Sequence, residues 1–228
     1  MASFQEKFIQ CFVTEDRYLF FIKGLSNTLI ITIMAAIFGI LIGFLVAIVK
    51  TTHDRTGKLK ILNAVCNVYL TVIRGTPTTV QLLIMYYIIM SGSTNKILIA
   101  IMTFAINSGA YVAEIVRSGI MSIDNGQFEA GRSLGFNYVQ TMWFIIVPQA
   151  FKNVLPALVN EFITLLKETS ISGYIALNDL TRGGDIVRSI TYETFFPLFT
   201  VALIYLIIVM VLTHFVGKLE RRLRAGDR

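Results

Sequence analysis

The sequence has few of the residues that build catalytic, metal or disulfide centres. Of its 228 residues only two are cysteine, Cys11 and Cys66, and only two are histidine, and these four do not show metal-ligand spacing. A glycine-rich phosphate loop is also missing: residues 43–51 end in Lys and Thr as such a loop does, but Val49 stands where a glycine is needed. We therefore expect no metal site and no disulfide framework, and we expect any ATP that the protein depends on to be bound by another polypeptide.

Charged residues are scarce as well. They make up 15% of the chain, against 55% hydrophobic residues and a mean hydropathy of +0.69. An ordinary soluble domain carries about 25% charged residues. This composition predicts a membrane protein, so the net charge of +6 has to be interpreted by where the charges fall, not as a sign of nucleic-acid binding.

Long apolar runs are what the sequence does have. Five segments, nearly or wholly free of charge, are long enough for a tilted helix to cross about 30 Å of hydrocarbon. They cover about residues 24–49, 75–95, 97–117, 153–171 and 194–217. The fourth is the weakest of them, because Glu161, Lys167 and Glu168 lie within it. The runs predict an all-α membrane protein with about five transmembrane helices in one transmembrane domain, residues 24–217.

A sixth span over residues 133–151 is the competing interpretation. This stretch is uncharged, but it contains Asn137 and Gln140 beside Tyr138 and Trp143, a mixture more typical of a helix at the headgroup boundary. We therefore expect five spans.

The positions of lysine and arginine predict the orientation. With five spans and an external N-terminus, the cytoplasmic segments hold about twice as many of these residues as the external ones. We therefore expect an N-out, C-in topology, with residues 1–23 as an extracytoplasmic N-terminal segment and residues 218–228 as a basic cytoplasmic tail.

A polar segment interrupts the apolar runs at residues 127–148, QFEAGRSLGFNYVQTMWFIIVP. Its Glu-Ala-Gly at residues 129–131, followed after three residues by Gly135 and after nine more by Ile-Ile-Val-Pro, resembles the EAA signature of ABC importer permeases. It departs from that signature at Gly131 and Val147. The alternative interpretation is an ordinary loop helix between two spans.

The resemblance implies that residues 127–148 form a cytoplasmic coupling segment, whose short helix sits in a groove of an ATPase subunit. The residues expected to make that contact are Glu129, Ala130, Gly131, Ser133, Leu134, Gly135 and Phe136. The predicted orientation independently puts this segment on the cytoplasmic side.

Three further blocks resemble the polar amino acid ABC importer permeases, the histidine, glutamine and arginine group. They are residues 74–87 (RGTPTTVQLLIMYY), 110–135 and 160–171 (NEFITLLKETSI), in that family's order. The resemblance implies the type I importer permease fold in a multi-pass protein of the bacterial cell membrane. It also implies the partners: a second permease subunit, identical or a sister chain, two cytoplasmic ATPases that bind ATP with Mg²⁺, and an extracytoplasmic solute-binding protein.

Polar residues follow single helical faces in the third and fourth predicted spans, and such residues normally face a protein interior or a water-filled cavity. The candidates for the substrate path are Asn107, Tyr111, Glu114, Glu161, Thr164 and Lys167. A zwitterionic amino acid needs an acceptor for its ammonium group, which Glu161 or Glu114 supplies in this interpretation. It also needs a donor for its carboxylate, which Lys167 supplies. The alternative is that these charges pair with one another and contact no substrate.

The predicted function is therefore a transmembrane permease subunit of an ATP-driven importer for a polar amino acid, with no enzyme activity and no cofactor of its own. An ion-coupled secondary amino acid transporter is the alternative. The buried Glu161 and Lys167 would be its coupling sites, but it has no use for an EAA-like segment. A membrane-embedded enzyme is disfavoured, because no nucleophile–base pair or metal cluster appears at the span ends.

Overall fold

The computed structural model describes residues 3–225; residues 1–2 and 226–228, the ends of the two predicted terminal segments, lie outside the described residues. Within residues 3–225 the chain forms helices and turns and no strand, as the composition predicted. The helices are α1 (Phe4–Phe12), α2 (Tyr18–Thr56), α3 (Lys60–Gly75), α4 (Thr78–Ile84), α5 (Lys96–Met121), α6 (Asn125–Ser133), α7 (Tyr138–Thr141), α8 (Val147–Glu168), α9 (Leu180–Thr191) and α10 (Phe195–Ala225). π-Helical turns continue α4 over Met85–Ile89 and join α7 to α8 over Met142–Ile146, and 3-10 turns cover Thr14–Asp16 and Thr169–Ile175.

Four helical stretches are long and apolar enough to cross a membrane: Thr14–Thr56, Lys96–Met121, Tyr138–Ile175 and Phe195–Leu223. Each overlaps one of the predicted spans, the first, third, fourth and fifth in chain order. This confirms the fold class of an all-helical membrane protein. The side of the membrane on which each helix begins stays a prediction.

The predicted second span, residues 75–95, differs from the structure. The apolar helix found there, Thr78–Ile89, is too short to cross a bilayer by itself. The cause is Pro77, which has no backbone N–H to donate, together with Thr76, which is extended at φ −121° and ψ 146° because a residue before proline is pushed out of the α region. Five crossings therefore require α3 and α4 to cross as one broken span, and this stays a prediction.

Residues 133–151 do not form a separate helix. The chain leaves the α-helical conformation at Leu134 and is helical again from Tyr138 to Glu168, by way of α7, the π-helical turn and α8. The predicted fourth span starts at residue 153 because residues 133–151 are interpreted there as a helix at the headgroup boundary.

The described residues fall into two compact units, each formed by separate stretches of the chain. The first unit comprises Met1–Ala36, Pro77–Phe104 and Ile163–His214. Its apolar core joins α1, the start of α2, α9 and the start of α10, with Phe21 and Leu180 buried.

The second unit comprises Ile37–Thr76, Ala105–Phe162 and Phe215–Arg228. In its core an apolar face of α5 packs against α8, with Val116 and Val154 both buried. This packing holds α5 and α8 side by side, and both helices contribute polar residues to the cavity described below.

Candidate functional site

The segment from α6 to α7, residues 124–141, is a helical hairpin whose two helices both begin at a side-chain cap. At the start of α6 the Asp124 carboxylate accepts a hydrogen bond from the Gly126 amide at 2.6 Å. At the start of α7, Asn137 and Gln140 form a capping box: each side chain accepts from the other's backbone amide, at 3.0 and 2.9 Å. These caps satisfy backbone N–H groups that a first helical turn leaves unpaired.

Gly135 turns the chain between the two helices of this α6–α7 hairpin. Its φ of +80° lies in the left-handed region that favours glycine. The amide of Gly135 donates to the carbonyl of Arg132 at 2.9 Å, and the amide of Phe136 donates to the carbonyl of Gly131 at 3.0 Å. These two bonds are the Schellman arrangement that ends a helix. The glycine of the EAA-like pattern is thus a backbone requirement of the turn.

Most of the residues predicted to contact an ATPase lie on the surface of the hairpin. The exposed ones are Glu129, Ala130, Ser133, Leu134 and Gly135. Leu134, a large apolar side chain, is 69% exposed. Gly131 is buried, and Phe136 is half-buried with its ring centroid 6.1 Å from that of Phe144. The hairpin therefore presents both apolar and polar side chains that a partner chain can reach.

A cavity of about 580 Å³ opens in the second unit, and we name it the polar cavity after the charged and polar side chains in its wall. Side chains from the end of α3, from α5 and its C-terminal turn, and from α8 line it, among them Arg74, Tyr111, Glu114, Ser122, Asn153 and Glu161. One guanidinium and two carboxylates thus border one space in a chain where charges are scarce.

Glu114 is held by Arg117 of the same helix. Arg117 Nη2 lies 2.6 Å from Glu114 Oε1 and its Nε lies 3.3 Å from Oε2. Arg117 Nη1 is also 3.7 Å from Asp54 Oδ2 near the end of α2. In the polar cavity, Arg74 Nη1 is 3.8 Å from Glu114 Oε2, well beyond the roughly 2.7–2.9 Å of a charge-assisted hydrogen bond. The four charges alternate in sign and join α2, α3 and α5.

Neutral groups accompany the other charges of the polar cavity. Glu161 Oε1 accepts a hydrogen bond from the Ser108 hydroxyl at 2.8 Å. The Arg74 guanidinium lies 5.8 Å from the centre of the Tyr111 ring, within cation–π range. A hydroxyl and an aromatic ring are thus among the groups that hold these two side chains.

Three of the six residues predicted for the substrate path line the polar cavity: Tyr111, Glu114 and Glu161. Asn107 is on the same helix but is 1% exposed and is not among the lining residues. Thr164 and Lys167 belong to the first unit, where both are exposed, and do not line this cavity. The cation that lines it is Arg74, which the helical stripes did not include. Its one sequence signal is the RGTP turn that ends α3.

Apolar helices long enough to cross a membrane, a cavity with charges of both signs and an exposed, self-capped hairpin define a polytopic permease, a protein that passes a polar solute without transforming it. Residues 39–225 match the family described as binding-protein-dependent transport system inner membrane component, and the chain belongs to that family.

Individual relatives cover nearly the whole chain. It is 38% identical over 210 residues to the putative glutamine transport system permease protein GlnP of Rickettsia felis, across 91% of this chain and 94% of the relative. It is 38% identical over 212 residues to the arginine transport system permease protein ArtQ of Bacillus subtilis, again across 91% and 94%.

Solved structures agree with these relatives. The crystal structure of an amino acid ABC transporter with histidines matches with a TM-score of 0.84 and 42% identity, over 92% of this chain and 98% of that one. An inward-facing structure of the MetNI methionine ABC transporter matches with a TM-score of 0.78 and 21% identity, over 92% of this chain and 98% of that one, which supports the fold.

Family membership confirms several predictions. The chain is a permease subunit of an ABC importer in a bacterial inner membrane, with the type I importer fold. It is a transport component and not an enzyme, and ATP hydrolysis belongs to a separate ATPase. A solute-binding protein is also part of the system. The secondary-transporter alternative gains no support.

Proposed function

We propose that the chain forms the translocation path for a polar amino acid in an ATP-driven importer. The relatives named for glutamine and arginine transport, and the solved amino acid transporter, support an amino acid as the cargo. The observation that carries the proposal is the polar cavity, where one guanidinium and two carboxylates line a single space. An amino acid carries one anion and one cation on the same carbon, so a space with both signs of charge suits it.

In this proposal Arg74 binds the substrate carboxylate. Glu114 already has a bidentate partner in Arg117, and its contact with Arg74 is 3.8 Å long. Arg74 therefore gains a closer partner when a carboxylate enters, and a planar guanidinium binds a carboxylate through two parallel hydrogen bonds. Lys167, which the helical stripe predicted for this role, does not line the cavity.

Glu161 binds the substrate ammonium group, and Glu114 adds to the negative potential of the cavity. A serine hydroxyl donates to Glu161 at 2.8 Å, which orients the carboxylate. Asn107, Thr164 and Lys167 remain proposed path residues outside this cavity.

The α6–α7 hairpin, in the same proposal, docks on a cytoplasmic ATPase subunit. Two permease subunits, identical or sister chains, work with two ATPases that bind ATP with Mg²⁺, and the permease itself holds no cofactor. Closure of the ATPase pair draws the two hairpins together and shifts the permease between inward-open and outward-open packing. Support comes from the hairpin's own caps and its exposed side chains. This arrangement puts residues 127–148 and 218–228 in the cytoplasm.

Transport by the purified complex in proteoliposomes tests the cargo and the energy source. We expect uptake of radiolabelled glutamine or arginine only when ATPase, ATP and solute-binding protein are all present, and we expect other polar amino acids to compete. Uptake by the permease alone, driven by an ion gradient, would contradict the proposal.

Gly135→Asp tests the docking of the hairpin. Its matched control is Gly57→Asp, because Gly57 also has a positive φ, +68°, and both glycines have no atom within 4 Å of the place a Cβ would take. Each substitution therefore carries a similar backbone cost, about 1–2 kcal/mol. We expect both variants to reach the membrane and only Gly135→Asp to lose ATPase copurification and substrate-stimulated hydrolysis. Equal behaviour of the two variants rejects the docking assignment.

A further inference from the structure

A second, smaller cavity of about 220 Å³ lies beside the α6–α7 hairpin in the second unit. Its lining residues are Arg55 at the end of α2, Phe128 and Arg132 on α6, and Tyr138 and Thr141 on α7. We name it the basic cavity, because two guanidinium groups and, among the described residues, no carboxylate line it. The sequence pattern does not indicate this cavity, since Arg55 is distant from the hairpin along the chain.

Arg55 is fixed in the wall of the basic cavity. Its guanidinium carbon lies 4.2 Å from the centre of the Phe128 ring, and its Nη1 donates to Asn125 Oδ1 at 2.8 Å. Its Nε is buried and has no hydrogen-bond partner among the described residues. A charged side chain that is held in place and still has an unused N–H is preorganised to bind an anion.

Arg132 and Thr141 add further donors. The Arg132 side chain is exposed and makes no ion pair within the part of the chain that the structure describes. Thr141 is 2% exposed, and its hydroxyl oxygen is buried without a hydrogen-bond partner among residues 3–223. The Thr141 hydroxyl is unfavourably desolvated until an acceptor reaches it.

These donors point to an oxyanion as the ligand of the basic cavity. Guanidinium groups bind carboxylates and phosphates in preference to other anions, through paired hydrogen bonds. The volume, about 220 Å³, is below the roughly 300–1,000 Å³ of pockets that hold drug-sized ligands. A nucleotide therefore does not fit, whereas one acidic side chain does.

We propose that the basic cavity receives an acidic side chain of the ATPase subunit, whose carboxylate is bound by Arg132 and Arg55. This rests on the docking of the hairpin proposed above. α6 supplies two of the lining residues, and its exposed residues Glu129 and Ser133 are polar, so this surface borders water or protein and not lipid tails. An anionic lipid headgroup is the competing occupant.

Zero-length cross-linking tests for the carboxylate directly. A carbodiimide joins a lysine amine to a carboxylate in contact with it, whereas it leaves arginine unmodified. In complexes that carry Arg132→Lys we expect an amide link between residue 132 and an Asp or Glu of the ATPase, located by mass spectrometry. The matched control is Arg221→Lys, at an exposed arginine of α10, where we expect no link. Failure of residue 132 to cross-link in an assembled complex overturns the proposal.

ATPase affinity gives a second, independent readout. Arg132→Gln removes the charge and keeps most of the side-chain length. We expect it to weaken binding of the purified ATPase about tenfold, because the partner carboxylate then loses one of its two guanidinium partners, and to reduce the dependence of binding on salt. Arg221→Gln is expected to bind as the wild type does. Unchanged affinity of Arg132→Gln overturns the proposal.

Nanodiscs of two compositions separate the two occupants. With phosphatidylcholine alone we expect the same cross-link and affinity as with added phosphatidylglycerol. If Arg132→Gln changes phosphatidylglycerol binding and leaves ATPase binding intact, the lipid headgroup is the occupant and the proposal fails.

Gly135→Asp distinguishes a failure of the docking proposal from a failure of the inference about the basic cavity. If that variant still binds ATPase, the docking itself fails. If it loses ATPase binding while Arg132→Gln keeps it, only the inference about the basic cavity fails.

Discussion

Thr141 occupies the space that a Cβ atom on Gly131 would need. A Cβ at that position would lie 2.7 Å from both Cγ2 and Oγ1 of Thr141, closer than non-bonded atoms approach each other. Both residues are buried where α6 meets α7. The EAA signature has alanine where this chain has Gly131, so the missing methyl group is replaced by a side chain of the facing helix.

Restoring the alanine of the signature is expected to destabilise the hairpin. Overpacking a buried site costs about 1–3 kcal/mol, so Gly131→Ala lowers the midpoint of thermal unfolding of the purified protein. Gly131→Ala with Thr141→Ala recovers part of the loss, because the double variant lacks the two nearest atoms, Cγ2 and Oγ1 of Thr141. The control is Gly217→Ala, which has no atom within 4 Å. Equal midpoints for Gly131→Ala and Gly217→Ala would show that the site can absorb a methyl group.

Arg74→Gln removes the group proposed for the substrate carboxylate. We expect binding of arginine to the purified permease–ATPase complex to weaken by about tenfold, since a hydrogen bond to a charged group is lost. Binding of argininamide, which has no carboxylate, is expected to stay unchanged. Calorimetry without the solute-binding protein measures both ligands. A parallel loss for both would mean that Arg74 only supports the cavity through Glu114 and Tyr111.

Glu161→Gln tests the ammonium site. We expect weaker binding of glutamine or arginine, while assembly and basal ATP hydrolysis stay at the wild-type level. Glutamine keeps an acceptor for the Ser108 hydroxyl, so the 2.8 Å hydrogen bond can persist. Ser108→Ala is the control, because it removes that bond and keeps the carboxylate. Unaltered affinity in a correctly assembled Glu161→Gln complex eliminates Glu161 as a ligand.

Asp179 is expected to make the stability of the first unit depend on pH. It is buried at the N-terminus of α9, and this burial raises its pKa from 3.8 to about 6, against the lowering effect of hydrogen bonds from the Arg182 and Thr181 amides. The folded chain therefore holds this proton at a pH where the unfolded chain has released it. Its stabilisation is complete below about pH 4 and is lost as the pH rises through about 6, by about 3 kcal/mol in all.

The midpoint of thermal unfolding is expected to fall between about pH 4 and pH 7 as Asp179 loses this stabilisation. Asp179→Asn, which mimics the protonated acid, is expected to remove that fall. Asp185 is the control of opposite sign. A hydrogen bond from Arg188, together with the charges of Arg188 and Arg182, lowers the pKa of Asp185, so its stabilisation is lost on acidification. Asp185→Asn leaves the fall intact. If the unfolding midpoint of Asp179→Asn falls with pH as steeply as that of the wild type, another group causes the fall.

Cysteine labelling tests whether α3 and α4 cross the membrane together. In a background with Cys11 and Cys66 replaced by alanine, we introduce Ser91→Cys or Thr56→Cys, both at exposed positions. Five crossings with an external N-terminus place residue 91 outside and residue 56 inside. An impermeant maleimide is expected to label the first in intact cells and the second only after permeabilisation. Labelling of both in intact cells would mean that this pair of helices does not cross.

Hydropathy predicted the long helices because a charge-free run in a membrane can satisfy its backbone only as a helix. It could not predict their ends, since helices extend beyond the hydrocarbon: α2 runs from Tyr18 to Thr56, whereas the apolar run covers residues 24–49. Hydropathy also did not detect the break at Pro77, because one proline hardly changes the mean hydropathy of a window although it ends α3.

The hairpin was predictable and the polar cavity was not, for the same physical reason. The cap at Asp124 and the turn at Gly135 are set by neighbours a few residues away, so the sequence pattern contains them. The polar cavity depends on Arg74 and Glu161 meeting from different helices. A stripe of polar residues shows which face of a helix is polar, but it does not show which other helix packs against that face. For this reason Lys167 was predicted to lie with Glu161 in one site.

Asp54 and Arg55 are adjacent in the last turn of α2, yet each belongs to a different site. Asp54 ends the series of ion pairs that begins at Arg74 in the polar cavity, and Arg55 lines the basic cavity. A rotation of this one turn moves a charge of the series and a wall of the basic cavity at the same time. If each ligand favours a different position of this turn, the two sites are thermodynamically linked, and the factor is the same in both directions. In that case substrate in the polar cavity changes the affinity of the hairpin for its partner by the same factor with which that partner changes the affinity for substrate.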